Sequence, residues 1–317
     1  MLNRRLIRIK VFKVLYAAEA SGATSLTSAE KELLLSCSKT LDLYYFLLNL
    51  CPALKRLAAQ KIETGKNKFN PTESELTAST KFVDNRFTAI LENDSAFTKT
   101  CAKKGLGWEE YDVFIKKLFA SVSSSDYYQE YMAESGEDSL KQDCRLLARI
   151  FEEELEDNEM LWDILEETSV YWTDDLGFVL NVIIRDLEAA STTGVLPQHE
   201  VFLKEDDRSF ALGLLAAVLN HWDEYLKVVQ ESVPNWDPDR IVRTDALLVV
   251  MGIAEAVAFP TIPVKVTINE YVDISKFYST PNSHTFVNGL LDVILRRMQE
   301  SGEVAKQGRG LYTGDTK

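Results

Sequence analysis

The stretch from Ile262 to Met298, IPVKVTINEYVDISKFYSTPNSHTFVNGLLDVILRRM, decides the fold class. It reads as two helices joined by Ser-Thr-Pro-Asn-Ser-His at 279–284, with Asn282 or Ser283 expected to cap the second. Just upstream, RIVRTDALLVVMGIAEAVAF (240–259) is apolar on every side, the pattern of a helix at the centre of a bundle. Asp237 is the expected N-cap, Pro238 suits a first turn and Pro260 a stop, so the helix is expected over 239–259. Asp245 and Glu255 stand out as its few charges.

The composition agrees with an all-α chain. Its 317 residues are 46% apolar and 26% charged, and only 14 Gly and 8 Pro are too few for a barrel or sandwich of many short strands. No apolar run is long enough for a membrane helix, and Arg8, Lys10 and Lys13 break up what would be a signal peptide, so a cytoplasmic protein is expected. Cys37, Cys51, Cys101 and Cys144 share no paired spacing and read as reduced, buried thiols. His199, His221 and His284 are scattered, both phosphate-loop patterns fail, and no metal or cofactor is expected.

A net charge of −14 argues against a polyanion-binding surface over the whole molecule. The charge is nonetheless segregated, because Met1–Lys13 holds Arg4, Arg5, Arg8, Lys10 and Lys13 and no acid. The segment reads as a helix ending near Ser21-Gly22. At about 100° per residue, Ile7, Val11, Val14 and Ala18 form one face, while Arg5, Arg8, Phe12 and Tyr16 fall in an arc of roughly 80° on another. Cations interleaved with aromatics suit single-stranded nucleic acid, with guanidinium groups on phosphates and rings on unpaired bases. A helix with Phe12 and Tyr16 in the core and arginine stems lying over them fits the same spacing.

Between these ends, helices are expected over 29–51 and on to 61, 76–103, 108–122 and 210–231, with irregular stretches at 63–75 and 121–139. Thr72 and Glu75 form a capping box. EEELEDNEMLWDILEE (152–167) carries nine carboxylates and no cation, and reads as a solvated face or a surface for a basic protein.

Four stretches carry a family resemblance: IPVKVTINEYVDISKFY (262–278), FVNGLLDVIL (286–295), NWDPDRI (235–241) and LLVVMGIAE (247–255). Together they resemble the transcription antitermination factor NusB family, and the amino end, NRRLIRIKVFKVLYAAE, resembles that family's arginine-rich opening helix. The resemblance implies an all-α, NusB-like bundle of two packed antiparallel subdomains. Here a helical extension is inserted. The expected organisation is a basic first helix at 1–21, the extension at 22–141, packed against the core, the helical core at 142–300 and a flexible tail at 301–317.

By the same resemblance, Arg4, Arg5 and Arg8, with Ser283, His284, Thr285 and Phe286, form a site for boxA-type single-stranded RNA, which Phe12 joins from the cation–aromatic face of the first helix. Tyr16 and Asp245 fall on the side of the protein partner, the small-subunit ribosomal protein NusE, within the RNA polymerase antitermination complex. Such a protein performs no chemistry. The alternatives are a helical ribosome-assembly protein with little RNA binding, or a relic of an RNA cytosine methyltransferase. Gly289, Asn269, Glu270 and Asn288 read as structural, Gly289 as a place of close helix approach.

Overall fold

The computed structural model describes residues 1–22, 25–134, 139–233 and 242–312. Among them the protein is all-α, with sixteen α-helices and a single isolated parallel β-bridge, Leu2 to Phe202. The chain divides into two units, Met1–Cys37 with residues from Phe202 onward, and Ser38–Val201.

In the first unit, α1 (Arg4–Ser21) starts at Asn3, whose side chain accepts from the Leu6 amide, and ends at Gly22 in the left-handed conformation. Helix α2 (Leu26–Leu48) begins in this unit and ends in the second. Its first turn is held by Ser25, whose Oγ accepts from the Ser28 amide. The other first-unit helices are α12 (Asp207–Asn220), α13 (Trp222–Glu231), α14 (Arg243–Ala258), α15 (Val264–Tyr278) and α16 (Ser283–Ser301). Helix α14 is central. It packs on α1, α12, α13, α15 and α16, and eleven of its sixteen residues are buried, Asp245 and Glu255 included. It starts four residues later than expected, with Val242 as N-cap, and Asp237 lies outside the described residues.

Close approach of α14 to α16 depends on Gly252, where a Cβ would lie 2.6 Å from Leu291 Cδ2. Gly289, expected to serve that role, faces open space. Asn282 precedes α16 as expected but makes no capping bond through its side chain. The segment after α16 is docked, contrary to the flexible tail expected from 301. Val304 is buried, Lys306 Nζ donates to the Ala256 and Phe259 carbonyls, and the Gln307 amide donates to Pro260 O. Lysine at a helix carboxyl end satisfies carbonyls that lack intrahelical partners.

The second unit runs from the end of α2 through α3 (Leu50–Lys66), α4 (Glu73–Leu76), α5 (Arg86–Asn93), α6 (Ser95–Lys104), α7 (Asp112–Ser124), α8 (Asp126–Ala133), α9 (Ser139–Glu153), α10 (Glu159–Thr168) and α11 (Leu176–Thr193). It has its own core, in which the rings of Trp108, Phe46 and Trp172 stack at centroid separations of 4.1 and 5.0 Å. The Thr72–Glu75 capping box forms as expected. Residues 126–133, expected to be irregular, are helical because Tyr127 and Tyr131 are buried and their hydroxyls donate to Glu154 and Asp143. Helices α9 to α11, expected in the core of the other unit, belong here, since α9 packs on α5, α8 and α11. In the acidic run, Glu154 is half-buried and the other eight carboxylates are exposed.

All four cysteines are buried, and burial pushes the Cys101 and Cys144 thiols up to about 12. Leu248→Ala is expected to cost about 2–5 kcal/mol in a urea titration, because Leu248 is fully buried in α14 and its truncation opens a cavity. Val293→Ala on the exposed side of α16 should stay within about 0.5 kcal/mol.

Candidate nucleic-acid interface

The basic helix α1 turns most of its charge inward. Arg8 is 2% exposed, and its Nε and Nη2 donate to the Glu255 carboxylate at 2.6 and 2.9 Å. Glu255 is fully buried and also accepts from the Thr267 hydroxyl at 2.8 Å and the Tyr271 hydroxyl at 3.1 Å. Burial by itself would lower the Arg8 pKa, but the Glu255 charge and hydrogen bonds outweigh it and hold the guanidinium above its ordinary value. Burial, then Glu255, pushes the Tyr271 phenol well up, so it stays a neutral donor.

Arg5 is more exposed, and its Nε and Nη2 donate to Glu270 at 3.1 and 3.0 Å, with a further bond to Asp273 at 2.9 Å. The Glu270 bonds raise the Arg5 pKa, while Lys276 and then Arg5 hold Asp273 below the usual carboxylate range. Arg4 bonds Asp206 at 2.7 Å and Asp207 at 3.2 Å. The Arg4 and Arg8 guanidinium groups lie 4.8 and 5.2 Å from the Phe210 ring centre. Three arginines thus meet five carboxylates, and none of the three stands without a partner.

These contacts revise the residue assignments. Arg8 is a buried structural ion pair, unable to reach a phosphate without leaving Glu255 unpaired. Phe12 is buried, stacked 6.2 Å from Tyr16 and tilted at 55° to Tyr278 at 5.6 Å. Asp245 is buried and accepts from the Ser279 and Ser283 hydroxyls, so it ties the 279–283 turn to α14 and presents no charge to a partner. Ser283 is buried in that contact and also accepts from the Thr280 amide. Tyr16 and Thr285 remain exposed, Phe286 is half-buried, and the Nδ1 of His284 bonds the Pro281 carbonyl.

The second half of α1 meets the end of α15, which leads into the turn before α16, and the start of α14. Phe12 meets Tyr278, Lys13 Nζ lies 5.5 Å from the Tyr278 ring centre, and Arg243 reaches Glu19 at 2.8 Å. Phe277, 83% exposed at the end of α15, was not singled out from the sequence. Its position in KFYSTP, one residue before the buried-side Tyr278, was the available signal.

A family model described as the NusB family matches residues 185–296. The transcription antitermination protein NusB of Salinibacter ruber is 38% identical over 109 residues, covering 34% of this chain and 68% of the relative. Proteins of the same name from Chloroherpeton thalassium and Finegoldia magna are 31% and 28% identical, with 56% and 72% of their lengths covered. No solved structure matches the chain. Among the described residues, no helix is long and apolar enough to cross a membrane.

Glu255→Gln keeps the side-chain shape but removes the buried charge that Arg8 meets, leaving the guanidinium only its longer contact to Glu270 at 3.4 Å, and is expected to cost about 3–5 kcal/mol. Arg8→Met with Glu255→Gln should recover part of that loss. Denaturation midpoints of both variants check this, and a wild-type midpoint for Glu255→Gln would remove the pair from its structural role.

Proposed function

The chain belongs to the NusB family, and on that premise we propose that it is an RNA-binding antitermination factor acting without chemistry of its own. Its ligand in this reading is boxA-type single-stranded RNA, taken together with the small-subunit ribosomal protein NusE, within the RNA polymerase antitermination complex. The observation that supports it is the contact of aromatic and cationic side chains where α1 meets the end of α15, in which Phe12 lies against Tyr16 and Tyr278 and Lys13 lies over the Tyr278 ring. Tyr16 beside Phe12 and Phe277 at the end of α15 are exposed, and His284 and Thr285 open the next helix. Rings at an edge with cations suit unpaired bases, since every base can stack on a ring face. Arg4 and Arg5, exposed enough to exchange a carboxylate for a phosphate, extend this edge along α1. Within this reading, residues 38–201 are a helical unit inserted into the family fold.

One observation favours a second reading, a helical assembly protein with little RNA affinity: Arg4, Arg5 and Arg8 already hold carboxylates. Titration with boxA-type single strands, with and without the ribosomal protein, separates the two. RNA binding strengthened by the ribosomal protein supports the first; ribosomal-protein binding with no RNA affinity supports the second. Changing Arg4 and Arg5 to Ala should reduce the salt slope of RNA binding by up to about 0.7 for each phosphate that is no longer neutralised, with the melting temperature little changed. An unchanged slope would remove the first half of α1 from the RNA edge.

A further inference from the structure

A groove of about 990 Å³ lies at the start of α1. Arg4 and Arg5 of α1 line it together with Ile262 and Val266, and the docked segment after α16 adds Arg309 and Tyr312. Its volume is at the upper end of the range for small-ligand sites. The closing residues lie beyond 185–296, outside the stretch that matches the family.

We propose that the turn Gly308–Leu311 and the following Tyr312 add a nucleotide subsite to the α1 edge, in which Tyr312 stacks on one unpaired base and Arg309 holds the adjoining phosphate. The proposal rests on the RNA-binding reading and names a part of its site. Charge identifies the anion contact. Arg4 and Arg5 are matched by Asp206, Asp207, Glu270 and Asp273, whereas exposed Arg309 has no carboxylate within 4 Å among the described residues. Tyr312 is 61% exposed and lines the same groove as the apolar side chains of Ile262 and Val266, so its ring is accessible to a base.

The turn is held firmly enough to present these two side chains. The Gly310 amide donates to Gln307 O at 2.8 Å and the Tyr312 amide to Arg309 O at 3.2 Å. Gly310 lies so close to the Pro260 carbonyl that a Cβ there would be 1.9 Å from its oxygen, and Gly308 has φ +53°. Both positions require glycine for this path of the chain. A subsite fixed before binding loses less ordering entropy when the nucleotide arrives.

The test uses the full chain and a short single-stranded oligoribonucleotide carrying 2-aminopurine, titrated over a salt series. Tyr312→Ala should weaken binding about tenfold and abolish the fluorescence quenching that stacking produces. Tyr312→Phe should retain both. Arg309→Ala should lower the salt slope by about 0.7. Arg4→Ala with Arg5→Ala should lower the slope while the 2-aminopurine quench in the bound state persists. If the wild-type chain binds the strand and Tyr312→Ala binds it with unchanged affinity and quenching, the subsite is overturned and the RNA reading stands. Weakening in Tyr312→Phe equal to that in Tyr312→Ala would overturn stacking. A wild-type chain with no affinity for any single strand would overturn both.

Discussion

The Arg8–Glu255 pair is the contact on which the placement of α1 depends. Two opposite charges are taken almost completely out of water, at a desolvation cost of several kcal/mol each, and only close geometry with full hydrogen bonding offsets it. Glu255 meets that demand with four donors, two from Arg8 and one each from Thr267 and Tyr271. The donors come from α1 and α15, the acceptor from α14. Three helices are therefore fixed in rotation and register by one carboxylate. Slipping α1 by a single residue would swing Arg8 about 100° away from it. The remaining α1 contacts follow the same register: Arg5 falls beside Glu270 and Asp273, Phe12 beside Tyr278, Glu19 beside Arg243.

That constraint determines what α1 offers outward. A basic segment in a chain of net charge −14 looks like a ligand site, yet its arginines answer carboxylates of α12, α14 and α15. What projects is a mixture of paired cations and exposed rings. Affinity for RNA at such an edge draws more on base stacking than on phosphate neutralisation. Exchange of a carboxylate for a phosphate conserves the number of ion pairs and gains little. Stacking on Tyr16 or Phe277 removes apolar surface from water with no such exchange.

The all-α class, the two helices around the 279–284 turn, the centrality of α14 and the Thr72 capping box were legible because each is written locally. Helical spacing, proline stops and a four-residue capping pattern all act within one or two turns of helix. The burial of Arg8 and Phe12 was not legible in the same way. Helical arithmetic places them on a common arc but does not say what covers that arc, and the cover comes from Glu255 and Tyr278, far along the chain. Glu255 was conspicuous as a charge on an apolar helix, while nothing beside it in sequence pointed to Arg8, far along the chain. Helix α8 was missed because its tyrosines carry the burial, and their hydroxyls need Glu154 and Asp143 from another segment. The docked segment after α16 is polar in composition; its order comes from Lys306 and Gln307 bonding carbonyls at the end of α14.

The long-range character of the Arg8 contact also bears on how the first unit tolerates the second. The first unit is assembled from two stretches of chain, and residues 38–201 lie between them in sequence. Loop-closure entropy grows only logarithmically, about 0.6 kcal/mol for each doubling of a flexible connection, and a folded segment with its own core need not add even that. The second unit has such a core around Trp108, Phe46 and Trp172. Against that modest cost, the first unit gains a buried ion pair between α1 and α14, and the Leu203 amide bonds Leu2 O where the chain returns. Helix α1 is therefore held by contacts whose removal would strand buried charge, which makes its attachment specific despite the length of chain that separates it from its partners.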